Sequence, residues 1–273
     1  MSEILCSTGA LIGRANGRNY RLLEGFSKEL SCDGYEFMMY AAWYDEIPQL
    51  VQTIRSLNLH IPVMHGEKTI GERLSSGTPD DLKEAQRLFD LNCQIATQFG
   101  AKKLVLHLWN GPVSDSNIQH NLDARGKLAG IAAKYNIDLL VENVVCNHVD
   151  PFSHWQSLRA QYPDVHFIFD TKMAAFHQQL DRLYQPELAW LWKENRIRHY
   201  HINDYAGGYM DWKNLRTLPI GKGHIDFDRF FDFIHTIGYN DTFTIESTAF
   251  NSEGVVDLSL LNRQFDYLRT KLK

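Results

Sequence analysis

The sequence lacks most of the features that would take it outside the ordinary globular class. No apolar run approaches the ~20 residues needed to cross a bilayer, so no membrane role is expected. The formal net charge is -5 with no long block of one sign, which argues against a dedicated nucleic-acid binder with its basic face. The four cysteines (Cys6, Cys32, Cys93 and Cys146) show neither CxxC spacing nor a dense framework. They fit reduced, buried thiols in a cytoplasmic protein. The opening MSEILCSTGALIG carries no basic residue before its apolar stretch, so it reads as a first strand rather than a signal peptide. No Gly/Ser linker or low-complexity segment divides the chain.

What is present is regular alternation. The 273 residues, 44% hydrophobic and 22% charged, suit one large domain over 1–273. Apolar β-rich runs near 4–8, 35–39, 61–65, 103–108, 138–142, 166–170, 198–203 and 242–246 predict eight strands. Helix-period segments near 19–31, 46–58, 80–99, 118–135, 152–161, 174–194, 226–237 and 256–271 follow them. Nearly continuous apolar strands imply burial on both faces, hence a parallel sheet, and eight such units imply an α/β fold, a single (β/α)8 TIM barrel. Ser153 is placed to start one helix, and Gly100 and Gly238 to end two others. Two stretches, 66–79 and 205–223, read as long loops after strand ends, where loops are usually functional. The alternating charge on one face of 80–99 reads as an outer barrel helix.

Glu142, Asp170, His201 and Glu246 stand at the ends of LLVEN, FIFD, HYHIND and FTIES. Their separations of 28, 31 and 45 residues match one strand–helix unit each, the last lengthened by the 205–223 loop. In such a barrel the active site forms at the C-terminal strand ends, so these four converge there. Three carboxylates and a neutral imidazole carry a formal charge of about -3, and a divalent cation relieves the repulsion. Hard oxygen donors with one imidazole suit one Mn²⁺ or Mg²⁺, with Co²⁺ or Zn²⁺ as alternatives. Salt bridges to neighbouring Lys or Arg are the plainer reading of any one of them.

The motifs VLHLW at His107, LLVEN at Glu142, FDT at Asp170, IRHYHINDY at His201 and Asp204, PIGKGHIDF at 219–227 and TIES at Glu246 run in order along the chain. In this order the sequence resembles the xylose isomerase-like TIM barrel superfamily, which contains sugar isomerases and epimerases, inosose dehydratases and endonuclease IV (the AP endonuclease family 2). The resemblance implies metal binding by Glu142, Asp170, His201 and Glu246, and acid–base roles for Glu142 and Glu246. The chemistry agrees: two bases and an electrophile could move a proton beside a carbonyl through a metal-stabilised enediolate. The expected activity is isomerisation or epimerisation of a sugar, keto-sugar or polyol-derived substrate. Alternatives are an inosose dehydratase-type lyase, an abasic-site nuclease and a non-catalytic sugar-binding barrel. Relatives often read Asp-x-x-His after strand six, whereas here that position is Met173. With Met173, and without an Asp-x-His pair after strand seven, a trinuclear cluster and nucleic-acid chemistry are not expected.

His65, His107, Trp109, Lys172 and His177 are candidate substrate contacts, with packing or charge pairing as their plainer roles. Trp43, Tyr44 and Trp212 join Trp109 as aromatics that could wall a sugar site. Asp204 could hold His201 or cap the following loop. GKGH at 221–224 could receive an anion ahead of a helix, or simply turn. Homo-oligomerisation is left open.

Overall fold

The computed structural model describes residues 2–273. Eight parallel strands close into a barrel in sequence order: β1 (Glu3–Ser7), β2 (Gly34–Met38), β3 (Val63–His65), β4 (Lys103–Leu106), β5 (Asp138–Glu142), β6 (His166–Asp170), β7 (Ile197–Ile202) and β8 (Thr242–Ile245). The fold is the expected (β/α)8 barrel. Nearly every strand residue is buried, β2 from end to end, which is why these strands read as unbroken apolar runs.

The principal helices are α1 (Ile47–Ser56), α2 (Thr69–Ser76), α3 (Pro79–Phe99), α4 (Ile118–Lys134), α5 (Pro151–Gln161), α6 (Thr171–Phe176), α7 (Phe227–Ile237) and α8 (Leu258–Lys271). Their ends follow local chemistry. Thr78 caps α3, and Gly100 and Gly238 close α3 and α7 in the left-handed conformation, as expected. Helix α5 begins earlier than Ser153 suggested. Asp150 is its cap and accepts a hydrogen bond from the Ser153 amide at 3.0 Å, while Pro151 occupies the first turn.

Three expectations need correction. The stretch 66–79 is not a plain loop but carries α2. Gly71 permits it, because a Cβ there would lie 2.2 Å from the His107 carbonyl oxygen. The helix expected over 174–194 is broken into α6 and shorter turns. Gln178 adopts a left-handed φ of 53°, and Pro186 starts a separate 3-10 turn. Residues 19–31 likewise give only the 3-10 turn Tyr20–Leu22 and the single helical turn Leu23–Phe26.

Residues 1–36 with 169–273 form one compact unit, and residues 37–168 another. In the first, register runs His201–Thr244 across β7 and β8, Thr244–Leu5 to β1, and Leu5–Gly34 to β2. Side chains alternate along a strand, so Glu36, two residues past Gly34, shares a face with His199, His201 and Thr244. In the second, register runs His65–Val105–Leu140 across β3, β4 and β5. His107 and Glu142 each lie two residues further, so they share the face of His65.

Candidate metal centre

In the 37–168 unit the shared face brings two imidazoles to one carboxylate. His107 Nε2 lies 2.8 Å and His65 Nε2 3.4 Å from Glu142 Oε2, and all three side chains are buried. The far nitrogens fix the protons. His65 Nδ1 donates to the Gly66 carbonyl at 2.8 Å. His107 Nδ1 donates to Asn110 Oδ1 at 2.9 Å, while the Asn110 amide donates to Glu72. Burial, working against the nearby Glu142 charge, brings the His107 pKa down to about 4. At neutral pH His107 therefore turns an Nε2 lone pair toward a carboxylate. That contact calls for a proton on the carboxyl or for a cation beside it.

The other unit holds a second carboxylate between two imidazoles, and the sequence reading missed it. Glu36 Oε2 accepts from His199 Nε2 at 2.8 Å and from Thr244 Oγ1 at 2.7 Å. His201 Nε2 lies 3.0 Å from both Glu36 oxygens. Burial pushes the Glu36 carboxyl upward. The contacts with His201 and His199 outweigh it and hold the group well below the usual carboxylate range. Neighbouring ligands of a tetrahedral Zn²⁺ stand about 3.3 Å apart. The 2.8 and 3.0 Å contacts of His199 and His201 with Glu36 are hydrogen-bond distances, so the three form a bonded network rather than a ligand triad.

The opposite edge of His201 faces the predicted ligands. Its Nδ1 lies 3.3 Å from Glu246 Oε2 and 3.9 Å from Asp170 Oδ2. The Asn203 amide donates to both of these oxygens, at 3.3 and 3.0 Å. Asp170 also caps α6, its Oδ1 accepting from the Met173 amide at 2.8 Å. One nitrogen and two carboxylate oxygens thus converge, a donor set that fits a divalent cation. Asp170 and Glu246 both lie within 4 Å of His201 Nδ1, and Asn203, which clamps them, was not anticipated.

A family model for the xylose isomerase-like TIM barrel matches residues 26–268. The chain belongs to that family. Among solved structures, the D-allulose 3-epimerase from Methylomonas sp., in complex with D-allulose, superposes with a TM-score of 0.71 at 16% identity, covering 99% of this chain and 97% of that one. The 3-keto-D-glucoside 4-epimerase from E. coli gives 0.68 at 16%, covering 99% and 100%. The IolI protein with a bound zinc atom gives 0.69 at 15%, covering 99% and 98%. At such identities the likeness is one of fold. No curated protein matches the sequence.

The remaining candidates separate. Lys172 Nζ lies 3.9 Å from Asp170 Oδ2 and donates to Thr217 Oγ1 at 3.1 Å, so it is a charge partner of the cluster. His177 is buried, its ring against Phe176 and Tyr209. Trp109 has no exposed surface and spends its indole N–H on the Val144 carbonyl at 2.9 Å. It is wall material and presents no face to a ligand. Trp43 is likewise buried, whereas Trp212 and Tyr209 are 48% and 59% exposed on the 205–223 stretch.

Asp204 holds the loop rather than His201. Its carboxylate accepts from the amides of Tyr205, Gly221, Gly223 and Ile225. The GKGH amides that might have received an anion are therefore filled by the chain's own carboxylate. Gly223 is needed there, since a Cβ would sit 2.3 Å from Asp204 Oδ1.

Proposed function

We propose that the chain is a divalent-metal-dependent epimerase or isomerase of a small sugar, keto-sugar or polyol-derived substrate, working in the cytoplasm. Glu142, Asp170, His201 and Glu246 would hold one ion, Mn²⁺ or Mg²⁺ ahead of Co²⁺ or Zn²⁺. The observation that carries the reading is His201, tied by Nε2 to Glu36 and turned by Nδ1 toward Asp170 and Glu246. Glu142 is included because it ends its own strand, as the other three stand at or beside the ends of theirs.

When bound, the ion would supply a Lewis acid for a carbonyl and its neighbouring hydroxyl. The protein's own groups would handle the proton. Glu142, flanked by His107 and His65, sits where a proton can be held between carboxyl and imidazole. Glu246 is less buried than the other three and is steadied by Asn203, which suits a base that must reach substrate carbon. One glutamate would remove the proton and the other return it. His65, His107, Lys172 and His177 would border the substrate as polar groups, and Trp212 and Tyr209 would offer it aromatic faces.

The test is a panel of ketohexoses and inososes incubated in D₂O with Mn²⁺-loaded protein and followed by NMR. An epimer or isomer of unchanged formula, carrying deuterium beside the carbonyl, is expected. A dehydrated diketone would replace this reading with a lyase. Three tightly bound ions per chain would favour a nuclease. No exchange with any sugar, despite ligand binding, would leave a sugar-binding barrel.

A further inference from the structure

Glu36 takes no part in the proposed proton transfer and is not among the proposed ligands, yet it is fully buried inside the barrel wall. Three groups donate to it: Thr244 Oγ1, His199 Nε2 and His201 Nε2. A carboxylate is an acceptor only, so both imidazoles must carry hydrogen on Nε2. His199 closes its other side against Thr242 Oγ1, at 2.6 Å from Nδ1. His201 instead turns Nδ1 toward Asp170 and Glu246. A neutral imidazole can coordinate a cation through one nitrogen only, the one without hydrogen. What holds the hydrogen on the other nitrogen therefore decides whether His201 is a ligand at all.

We infer that Glu36 is a positioning residue for the metal centre, fixing His201 in the tautomer and ring orientation that directs its Nδ1 lone pair at Asp170 and Glu246. The inference rests on His201 being a metal ligand. It adds a residue on a distant strand, β2, that sets the affinity of the centre without touching the ion. The sharing of one carboxylate by two imidazoles and a hydroxyl gives the device its rigidity. His199 and Thr244 hold the Glu36 carboxylate in place, and the carboxylate holds His201.

The test uses the intact chain, Zn²⁺ as the probe, and calorimetric titration of the wild type, Glu36→Gln and Thr244→Val. The glutamine amide can offer hydrogen to His201 Nε2 and so favours the opposite tautomer. Zn²⁺ affinity of Glu36→Gln should fall about 10- to 100-fold. Thr244→Val removes one donor to the same carboxylate but leaves an acceptor facing His201 Nε2, so its affinity should fall clearly less than that of Glu36→Gln. Equal affinity of Glu36→Gln and wild type would overturn the inference. So would an equal loss in Thr244→Val, which would mean general collapse of the buried network. Should Glu36→Gln not fold, ¹⁵N NMR of the Zn²⁺-loaded wild type decides. Hydrogen on His201 Nε2 with Nδ1 coordinated supports the assignment, and the reverse pattern ends it. Failure of the wild type to bind Zn²⁺ would instead defeat the four-ligand site itself.

Discussion

Each compact unit of this barrel places one buried glutamate against two imidazoles, and the two clusters differ in what lies beyond the rings. Around Glu142 the far nitrogens of His65 and His107 donate to carbonyl oxygens, so His107 turns a lone pair inward. Around Glu36 the near nitrogens are the donors, and the carboxylate gathers hydrogen from three sides. The same kit of one acid and two histidines therefore gives opposite proton demands. One cluster calls for a proton or a cation, while the other is already satisfied and serves as a fixed acceptor. Function follows from the outer partner of each ring rather than from residue type.

The largest break in this comparison should come from neutralising the two acids in turn. Glu142→Gln should lower exchange of substrate hydrogen with D₂O by about 10² to 10⁴-fold at saturating metal, the range of a lost acid–base group. Glu246→Gln should do likewise. If Glu142→Gln exchanged at the wild-type rate, Glu142 would be as passive as Glu36, and the contrast between the clusters would collapse.

The clusters should also separate by pH in metal-free protein. His107 has a folded pKa of about 4 against an ordinary 6.5, so the unfolded chain binds more protons between those values. This neutral histidine destabilises the fold as pH falls from 6.5 toward 4, by at most about 3 kcal/mol. Glu36 shifts stability in the same direction, but below the ordinary glutamate range. Its depressed pKa gives stability that is full above the ordinary glutamate range and is lost as pH falls through the lower, folded value. Urea unfolding from pH 7 to 4 should show a slope that His107→Gln flattens. A slope unchanged by that substitution would mean that His107 is charged in the fold.

A third buried acid sharpens the contrast because it meets no imidazole. Asp204 accepts only from backbone amides of the 205–225 region. Asp204→Asn would turn an amide hydrogen toward those donors. It should cost about 1–3 kcal/mol of stability in a denaturant titration and loosen the loop, with less effect on exchange chemistry than Glu142→Gln. A loss of turnover as large as that of Glu142→Gln, at unchanged stability, would move Asp204 into the site.

How much of this was legible in sequence depends on whether a signal was local. The strands were, because burial on both faces leaves runs such as LVL at 104–106 and LLV at 139–141 free of polar residues, and their observed limits differ from the expected ones by a few residues at most. Asp170, His201 and Glu246 were legible because strand ends in a barrel of this kind are where polar residues converge. Glu36 was not, since one acid within GYEFM looks like a strand residue facing solvent. Only the register through β1 and β8 shows that it faces His199 and His201. Asn203 was hidden for the same reason, as its partners lie on β6 and just past β8. Trp109 misled because an aromatic after a strand end looks the same whether it lines a mouth or fills a wall. Helix α2 was missed because its fit depends on Gly71 meeting the His107 backbone, a contact between distant segments.

The smallest expected effect concerns the aromatics outside both clusters. Trp212 stands edge-on to Phe176 at 5.0 Å, and its neighbour Met210 is anchored by an amide hydrogen bond to the Phe176 carbonyl at 2.9 Å. Phe176 ends α6, the helix that Asp170 caps, so this aromatic surface is tied through one short helix to a proposed ligand. With 48% of its surface exposed, Trp212 has a face available to a sugar ring. Trp212→Ala should raise KM roughly two- to tenfold, the worth of about 0.5–1.5 kcal/mol of aromatic contact, and leave kcat unchanged. Trp212→Phe should recover most of the loss, because the apolar face rather than the indole N–H is what the contact uses. Initial rates over a range of substrate concentrations would check both. A fall in kcat at constant KM would show that Trp212 acts on the catalytic groups through α6 and not on the substrate, which would extend the carboxylate network rather than bound it.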